Sequence, residues 1–341
     1  MSVQPFMNLL LAGDIGGTKA QLGLFSFQDN RPALLKEETF VSANYAGLAP
    51  LVSEFLERQN IAVHGACFGV AGPVREGRAD LTNLPWRVDE RQLASALNMD
   101  RVVLINDLTA LTEAIPWLAP QDLFTLNAGT PDPGGAMAVI APGTGLGEAF
   151  LIRNGDNYRI APSQGGHADF APTTPLEIHL LQHLRPQTGH VSFEDVCSGP
   201  GIRNLYRFLE ETGQSEIPAW FEEKLAAGAE PTPLIIEAAV NTDRSCPAAR
   251  DALDLFLSIL GAEAGNLALK VLATGGVFLG GGIPPRILPA LRKGPFLTSF
   301  FAKGPMAPLM TGIPVHVILD HQAALYGAAL HGYGRGRIFI S

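Results

Sequence analysis

Short β-rich runs alternate with amphipathic stretches through the first third of the chain. Apolar, β-prone residues at 9–12, 21–25, 64–70 and 102–105 predict strands of the length a buried sheet uses. Between them, LAPLVSEFLERQ (48–59) and DERQLASAL (89–97) carry apolar residues at helical spacing, each opened by a residue that caps or tolerates a turn. A second α/β unit begins near Gly134, where AMAVIAP runs into a glycine loop and EAFLI follows as another strand. Helical patterns then dominate: PTTPLEIHLLQHL, SGPGIRNLYRFLEE, the stretch 247–273 and IPPRILPAL, separated by turn residues. The tail returns to a strand, IPVHVIL, and a helix, HQAALYGAAL. The alternation predicts layered α/β architecture. One coarse repetition stands out: a strand leading into GDIGGTK is echoed by a strand leading into APGTGLG, which predicts two related halves facing each other.

Composition narrows the class. A chain of 341 residues with 47% hydrophobic content buries a substantial core and should divide into about two domains. The net charge of -9, without a long basic run, gives no electrostatic support for binding nucleic acid or an anionic membrane. Cys67, Cys197 and Cys246 lie far apart and lack the CxxC spacing of a zinc site or redox pair, so they are expected as reduced thiols in the core. The N-terminal MSVQPFMNLLLAGD has no positive segment and its apolar run stops at Asp14, which predicts a strand rather than a signal peptide. The long apolar stretch 247–273 is interrupted by Arg250, Asp251, Asp254, Glu263 and Lys270 and reads as a core helix, not a membrane span. A cytoplasmic protein is the expectation.

Three glycine clusters carry candidate chemistry. In GDIGGTK, Gly13, Gly16 and Gly17 bracket Asp14, so the backbone can approach a ligand and aim its N–H groups at a phosphate. Thr18 adds a hydroxyl and Lys19 a cation, while Asp14 can hold a magnesium ion through water, since that ion prefers oxygen ligands and keeps much of its hydration. The same glycines also suit a tight hairpin turn. GTGLG, with Gly143, Thr144 and Gly145, repeats the arrangement after an apolar strand, and Glu148 breaks any match to the dinucleotide-binding GxGxxG. The third cluster, GGVFLGGG, ends in Gly280, Gly281 and Gly282 before IPPRIL; a glycine-rich helix start can lie flat against a nucleotide base or ribose.

In LINDLTAL a strand ends in Asn106 and Asp107 as a helix begins. A carboxylate at the carboxyl end of a strand is where a general base is expected, although either residue can also serve as a helix cap. Further on, Gln164 and His167 in PSQGGHADFAP and Glu194 in SFEDVCSGPG are groups that can hydrogen-bond a polyhydroxylated ligand.

Taken together and in this order, these segments resemble the bacterial glucokinase family, within the superfamily of sugar kinases, actin and heat-shock chaperone ATPases, over nearly the whole chain. LAGDIGGTK is similar to the first phosphate motif, LINDLTALTEA to the connecting segment with the catalytic aspartate, VIAPGTGLG to the second phosphate motif, GGVFLGGGIPPRIL to the adenosine motif and QAALYGAAL to the final helix. The resemblance implies an actin-like, ribonuclease H-like α/β fold with an active-site cleft between a small domain, 1–116 plus 320–341, and a large domain, 117–319. It implies transfer of the γ-phosphate of ATP to the 6-hydroxyl of D-glucose, with magnesium, in a cytoplasmic homodimer that binds neither nucleic acid nor membrane.

By the same resemblance Asp107 is the general base and Asn106 holds neighbouring sugar hydroxyls. His167 and Glu194 match sugar-contacting residues. Gly143, Thr144 and Gly145 line the phosphates with Asp14, Gly16, Gly17, Thr18 and Lys19, and Gly280 to Gly282 take the adenosine. The family's EGGH motif reads QGGH here, so Gln164 keeps the length of a glutamate but loses its charge and half its acceptor capacity. That departure leaves room for another hexose as substrate (mannose, fructose or N-acetylglucosamine) and for a catalytically weak sugar-binding regulator; the intact Asp107 and both phosphate loops argue against the regulator. Relatives with the GGH element that carry a structural zinc do so on a cysteine-rich motif, which three scattered cysteines cannot make.

Overall fold

The computed structural model describes residues 9–29, 31–81, 84–155, 157–241 and 246–334. The chain divides into two compact units, Met1–Ala119 with Asp320–Ser341, and Pro120–Leu319. The first division therefore falls between Ala119 and Pro120 rather than between 116 and 117. The first strand, expected from residue 9, begins at Leu10.

The first unit contributes β1 (Leu10–Ile15), β2 (Lys19–Gln28), β3 (Arg31–Val41), β4 (Gly65–Val70), β5 (Arg78–Asp80), β6 (Arg87–Asp89) and β7 (Arg101–Asn106). β5 and β6 form a small antiparallel pair, and the others make one sheet in the order β3-β2-β1-β4-β7. β1 pairs antiparallel with β2 and parallel with β4, and β4 runs parallel to β7. A strand covered on both faces buries successive residues, which is the pattern of β1 from Leu10 to Gly13. Leu11 and Ile15 enter a cluster that includes Leu51, Val52 and Phe55 of the helix Leu48–Gln59. Leu10 and Ala12 enter another with Ala110 of the helix Asp107–Ala114 and Leu325, Ala328 and Ala329 of the helix Ala323–Gly334. Because side chains alternate along a strand, Asp14 shares the face of Leu10 and Ala12, the face on which Asp107–Ala114 packs.

The helices Asp107–Ala114 and Ala323–Gly334 cross closely. A Cβ added at Gly327 would overlap the Ala110 carbonyl oxygen and lie 2.7 Å from its carbonyl carbon. Gly327→Ala is therefore expected to destabilise the protein by about 1–3 kcal/mol, the usual effect of overpacking. Chemical denaturation should show an earlier midpoint; an unchanged midpoint would mean the helices separate freely.

The second unit contributes β8 (Leu123–Asn127), β9 (Met137–Pro142), β10 (Leu146–Asn154), β11 (Asn157–Ser163), β12 (Gly276–Leu279) and β13 (Val315–Ile318), in the order β11-β10-β9-β12-β13-β8. Three of its strands repeat the first sheet: β9 pairs antiparallel with β10 and parallel with β12, as β1 does with β2 and β4. The coarse repetition in the sequence is thus a repeated strand pattern, with each phosphate-loop candidate at the turn of an antiparallel hairpin.

The helix Pro247–Val271 is long and apolar enough to cross a membrane, and most of its apolar stretch is buried inside the protein, against Gly199–Glu211, Pro231–Val240 and Phe296–Phe301. It ends at Val271, with Leu272 in the left-handed conformation at φ 49°, slightly short of the expected 273. The helix expected over 283–291 is confined to Leu288–Leu291, and residues 284–287 form turns. All three cysteines are buried and unpaired.

Candidate active site

The GDIGGTK segment folds as the β1–β2 hairpin. Ile15 pairs with Ala20, and the Gly16 N–H donates to the Lys19 carbonyl at 3.0 Å, leaving Thr18 and Lys19 exposed at the tip. Ser42 fixes this turn from a distance, its hydroxyl donating to the Gly16 carbonyl at 2.9 Å and its N–H to the Thr18 carbonyl at 3.1 Å. Nothing local in the sequence signals Ser42, which is 26 residues from the glycine it holds.

Asn106 and Asp107 stand at the carboxyl end of β7, where Asn106 caps the helix Asp107–Ala114. Its Oδ1 accepts from the Leu108 N–H at 3.1 Å, and its Nδ2 donates to the Gly72 carbonyl at 3.0 Å and to Asp107 Oδ1 at 2.9 Å. Asp107 Oδ1 also accepts the Leu108 N–H at 2.8 Å. Capping and a chemical role are thus compatible here: Asn106 clamps one carboxylate oxygen of Asp107, and Oδ2 takes no part in these bonds.

Burial raises the Asp107 carboxyl above the ordinary carboxylate range, against the lowering effect of the Leu108 N–H and the Asn106 amide. Asp14 is pushed up to about 6, first by burial and then by the negative charge of Asp107, with Lys19 opposing. The charge of Asp107 reaches Asp14, so negative charge gathers at this end of the sheet. Among the described residues no group of three or more His, Cys, Asp or Glu side chains gathers as a metal cluster, so any cation here would rely on these two acids and on other oxygens.

In the second unit the sequence-predicted residues converge. Gly143 to Gly145 form the β9–β10 turn, closed by the Gly143 N–H donating to the Gly145 carbonyl at 2.8 Å. Glu194 reaches this turn: its Oε2 accepts the Leu146 N–H at 2.8 Å, and its Oε1 lies 3.9 Å from His167 Nδ1. Gln164 precedes a single 3-10 turn, Gly165–His167, and its exposed side chain makes no cap hydrogen bond. The Gly166 carbonyl accepts the Glu194 N–H at 2.8 Å, so the backbones bearing His167 and Glu194 are tied together. Gly280 to Gly282 follow β12, and a Cβ at Gly281 would lie 2.6 Å from the Pro142 carbonyl oxygen, which places this cluster beside the β9–β10 turn. At φ 81° Gly281 also adopts a backbone conformation that other residues rarely take.

The family model for glucokinase matches residues 11–333. The chain belongs to the glucokinase family. It is 45% identical to a glucokinase of Nostoc sp. over 342 aligned positions, covering 95% of this chain and 98% of that one. Among solved structures, a glucokinase from an Antarctic psychrotroph is 32% identical and superposes with a TM-score of 0.79, covering 95% of this chain and 98% of that one. A more distant glucokinase from Streptomyces griseus, solved with glucose and AMPPNP, shares the fold at 21% identity and a TM-score of 0.62, over 94% of this chain and 98% of that one.

For a glucokinase-family chain, one feature escaped the sequence motifs. Glu148, two residues into β10, is 1% exposed and packs under the turn Gly165–His167. In the sequence it registered only as the residue that spoils a GxGxxG.

Proposed function

We propose that this chain, a hexose kinase using ATP, phosphorylates the 6-hydroxyl of D-glucose with Asp107 as general base. The observation that carries the role of Asp107 is its placement: Oδ1 is held by the Asn106 amide and the Leu108 N–H, while no other side chain among the described residues bonds Oδ2, on a helix start beside Asp14. Phosphoryl transfer requires positioning and charge neutralisation more than covalent chemistry. Asp107 Oδ2 takes the proton from the 6-hydroxyl as that oxygen attacks the γ-phosphorus in line, and ADP leaves. Raised by burial, the Asp107 carboxyl is a stronger base than an exposed aspartate once ionised. His167 and Glu194 bond sugar hydroxyls, and Asn106 offers the remaining acceptor capacity of Oδ1. The Gly143–Gly145 turn with Thr144, and the β1–β2 turn with Thr18 and Lys19, offer N–H groups, hydroxyls and a cation to the phosphates, while Gly280 to Gly282 receive the adenosine.

Asp14 and Asp107 are hard oxygen donors whose mutual repulsion a divalent cation would relieve, so their chemistry fits magnesium, held by Asp14 through water. When bound, magnesium neutralises charge on the transferring phosphoryl group. We place the protein in the cytoplasm as a homodimer; light scattering of the purified protein checks the dimer.

The direct test is ADP release with glucose and with 6-deoxyglucose, which lacks the acceptor oxygen. ADP should form with glucose alone, and equal release with both sugars would refute transfer to that hydroxyl. Gln164 favours a second reading, a kinase for another hexose. If Gln164 is a weakened glucose contact, Gln164→Glu should lower the glucose KM by about tenfold, since replacing a neutral hydrogen bond by a charged one is worth about 1–2 kcal/mol. No improvement would mean that the site has adapted in another way.

A further inference from the structure

Glu148 has no place in the phosphoryl-transfer scheme, yet it touches the turn that carries two of its sugar contacts. Its register neighbours are Ile140 on β9 and Ser163 on β11, and its side chain reaches below Gly165. A Cβ added at Gly165 would overlap Glu148 Oε2 and lie 2.9 Å from Cδ, so this carboxyl and the Gly165 backbone are in direct contact. Neither Glu148 oxygen has a hydrogen-bond partner among the described residues, although both are buried. A buried carboxylate without a donor is strongly unfavourable, whereas the neutral acid costs far less in such a place.

The surroundings offer little compensation. Facing Glu148 from the helix Pro247–Val271 is Glu263, fully buried, which accepts from Asn266 Nδ2 at 2.9 Å and from Lys270 Nζ at 3.4 Å. Lys303 is committed to the Ala262 carbonyl and Asn266 Oδ1, each at 2.7 Å. The Cys197 thiol, also buried, feels the charge of both acids. Ser163 Oγ accepts the Gly165 N–H at 2.9 Å and makes no hydrogen bond to Glu148. Burial first, then the charge of Glu263, with Lys270 opposing, push the Glu148 carboxyl up to about 7.

We infer that Glu148 is a positioning residue for hexose binding: its neutral carboxyl supports the Gln164–His167 turn, and its ionisation disturbs that turn and weakens the grip on the sugar. Once ionised, the group must capture a donor from the turn above it or move away. Either motion shifts Gly165 and hence His167, and through the Gly166 carbonyl the backbone of Glu194. This inference rests on the reading that the turn contacts sugar.

The experiment follows glucose affinity against pH by calorimetry, and glucose KM and kcat by steady-state kinetics, in the wild type, Glu148→Gln and Glu263→Gln. For a single proton lost near neutrality, glucose KM should rise by up to about tenfold between about pH 6 and pH 8, with no matching change in KM for ATP. Glu148→Gln, which stays neutral, should flatten that rise. Glu263→Gln removes the neighbouring charge and should move its midpoint to lower pH, a readout that stands even if Glu148→Gln fails to fold.

The sign for stability follows from the same group. Folding keeps the proton on Glu148 above the ordinary glutamate range, so its contribution is full below about pH 4.5 and is lost as pH rises through about 7. The unfolding midpoint of Glu148→Gln should therefore gain on the wild type from pH 5 to pH 8, by about the same linkage. A wild-type glucose affinity that is flat across this range, or one that changes identically in Glu148→Gln, would overturn the inference. Failure of the wild type to bind glucose at any pH would instead overturn the assignment of the sugar contacts.

Discussion

Asp107→Asn should turn over glucose about a hundredfold or more slowly than the wild type, the usual contribution of a positioned general base. The substitution is a clean one in this setting. An asparagine keeps an oxygen where Asp107 Oδ1 accepts from Asn106 Nδ2 at 2.9 Å and from the Leu108 N–H at 2.8 Å, so the start of the helix Asp107–Ala114 need not change. Removing a charge that burial disfavours should leave thermal stability equal or higher. Steady-state kinetics with calorimetric glucose binding separates the effects: kcat should collapse while glucose still binds. Near-normal turnover would remove Asp107 as the base.

Gly166→Ala should raise glucose KM by about tenfold or more, as expected for losing at least one charged hydrogen bond to the sugar. The reason is steric. A Cβ at Gly166 would overlap the Leu146 carbonyl oxygen and lie 3.1 Å from its carbonyl carbon, and Leu146 follows the Gly143–Gly145 turn. The same glycine's carbonyl holds the Glu194 N–H, so relieving the overlap moves His167 and Glu194 together. Overpacking of backbone against backbone should also lower stability by about 1–3 kcal/mol. Wild-type KM in a folded Gly166→Ala protein would show that the turn is not part of the sugar site.

The parts of this fold that sequence makes legible are those with strong local signals. The helix Leu48–Gln59 has the bounds its sequence predicts because its apolar stripe is regular, and Asn60, at φ 52°, closes it in the left-handed conformation. The glycine loops announced themselves because a hairpin at a ligand needs small residues. β3 was not foreseen: Arg31–Val41 is mostly exposed and rich in charge, and its strand character comes from pairing with β2 rather than from burial. β11 escaped for a related reason, being a partly exposed strand whose pairing with β10 defines it. The helix expected over 283–291 shrank because Pro284 and Pro285 are accommodated in turns.

Within the candidate site, motif residues were readable one by one, whereas the contacts that hold them were not. Ser42 on the Gly16 turn, the Gly72 carbonyl on Asn106 and Glu148 beneath Gly165 are all distant in sequence from what they support. Such partners are chosen by the three-dimensional register of the sheets, which no local pattern encodes. Glu148 is the sharpest instance, since a glutamate in a strand carries no sign that both its oxygens will be buried without a partner.

The most direct test of the account is a crystal structure of the protein with glucose and an unreactive ATP analogue. It should place an Asp107 carboxylate oxygen about 2.6–3.2 Å from the 6-hydroxyl oxygen, with the γ-phosphorus in line beyond it. An Asp107 carboxylate out of hydrogen-bond reach of that oxygen, with another group in its place, would contradict it.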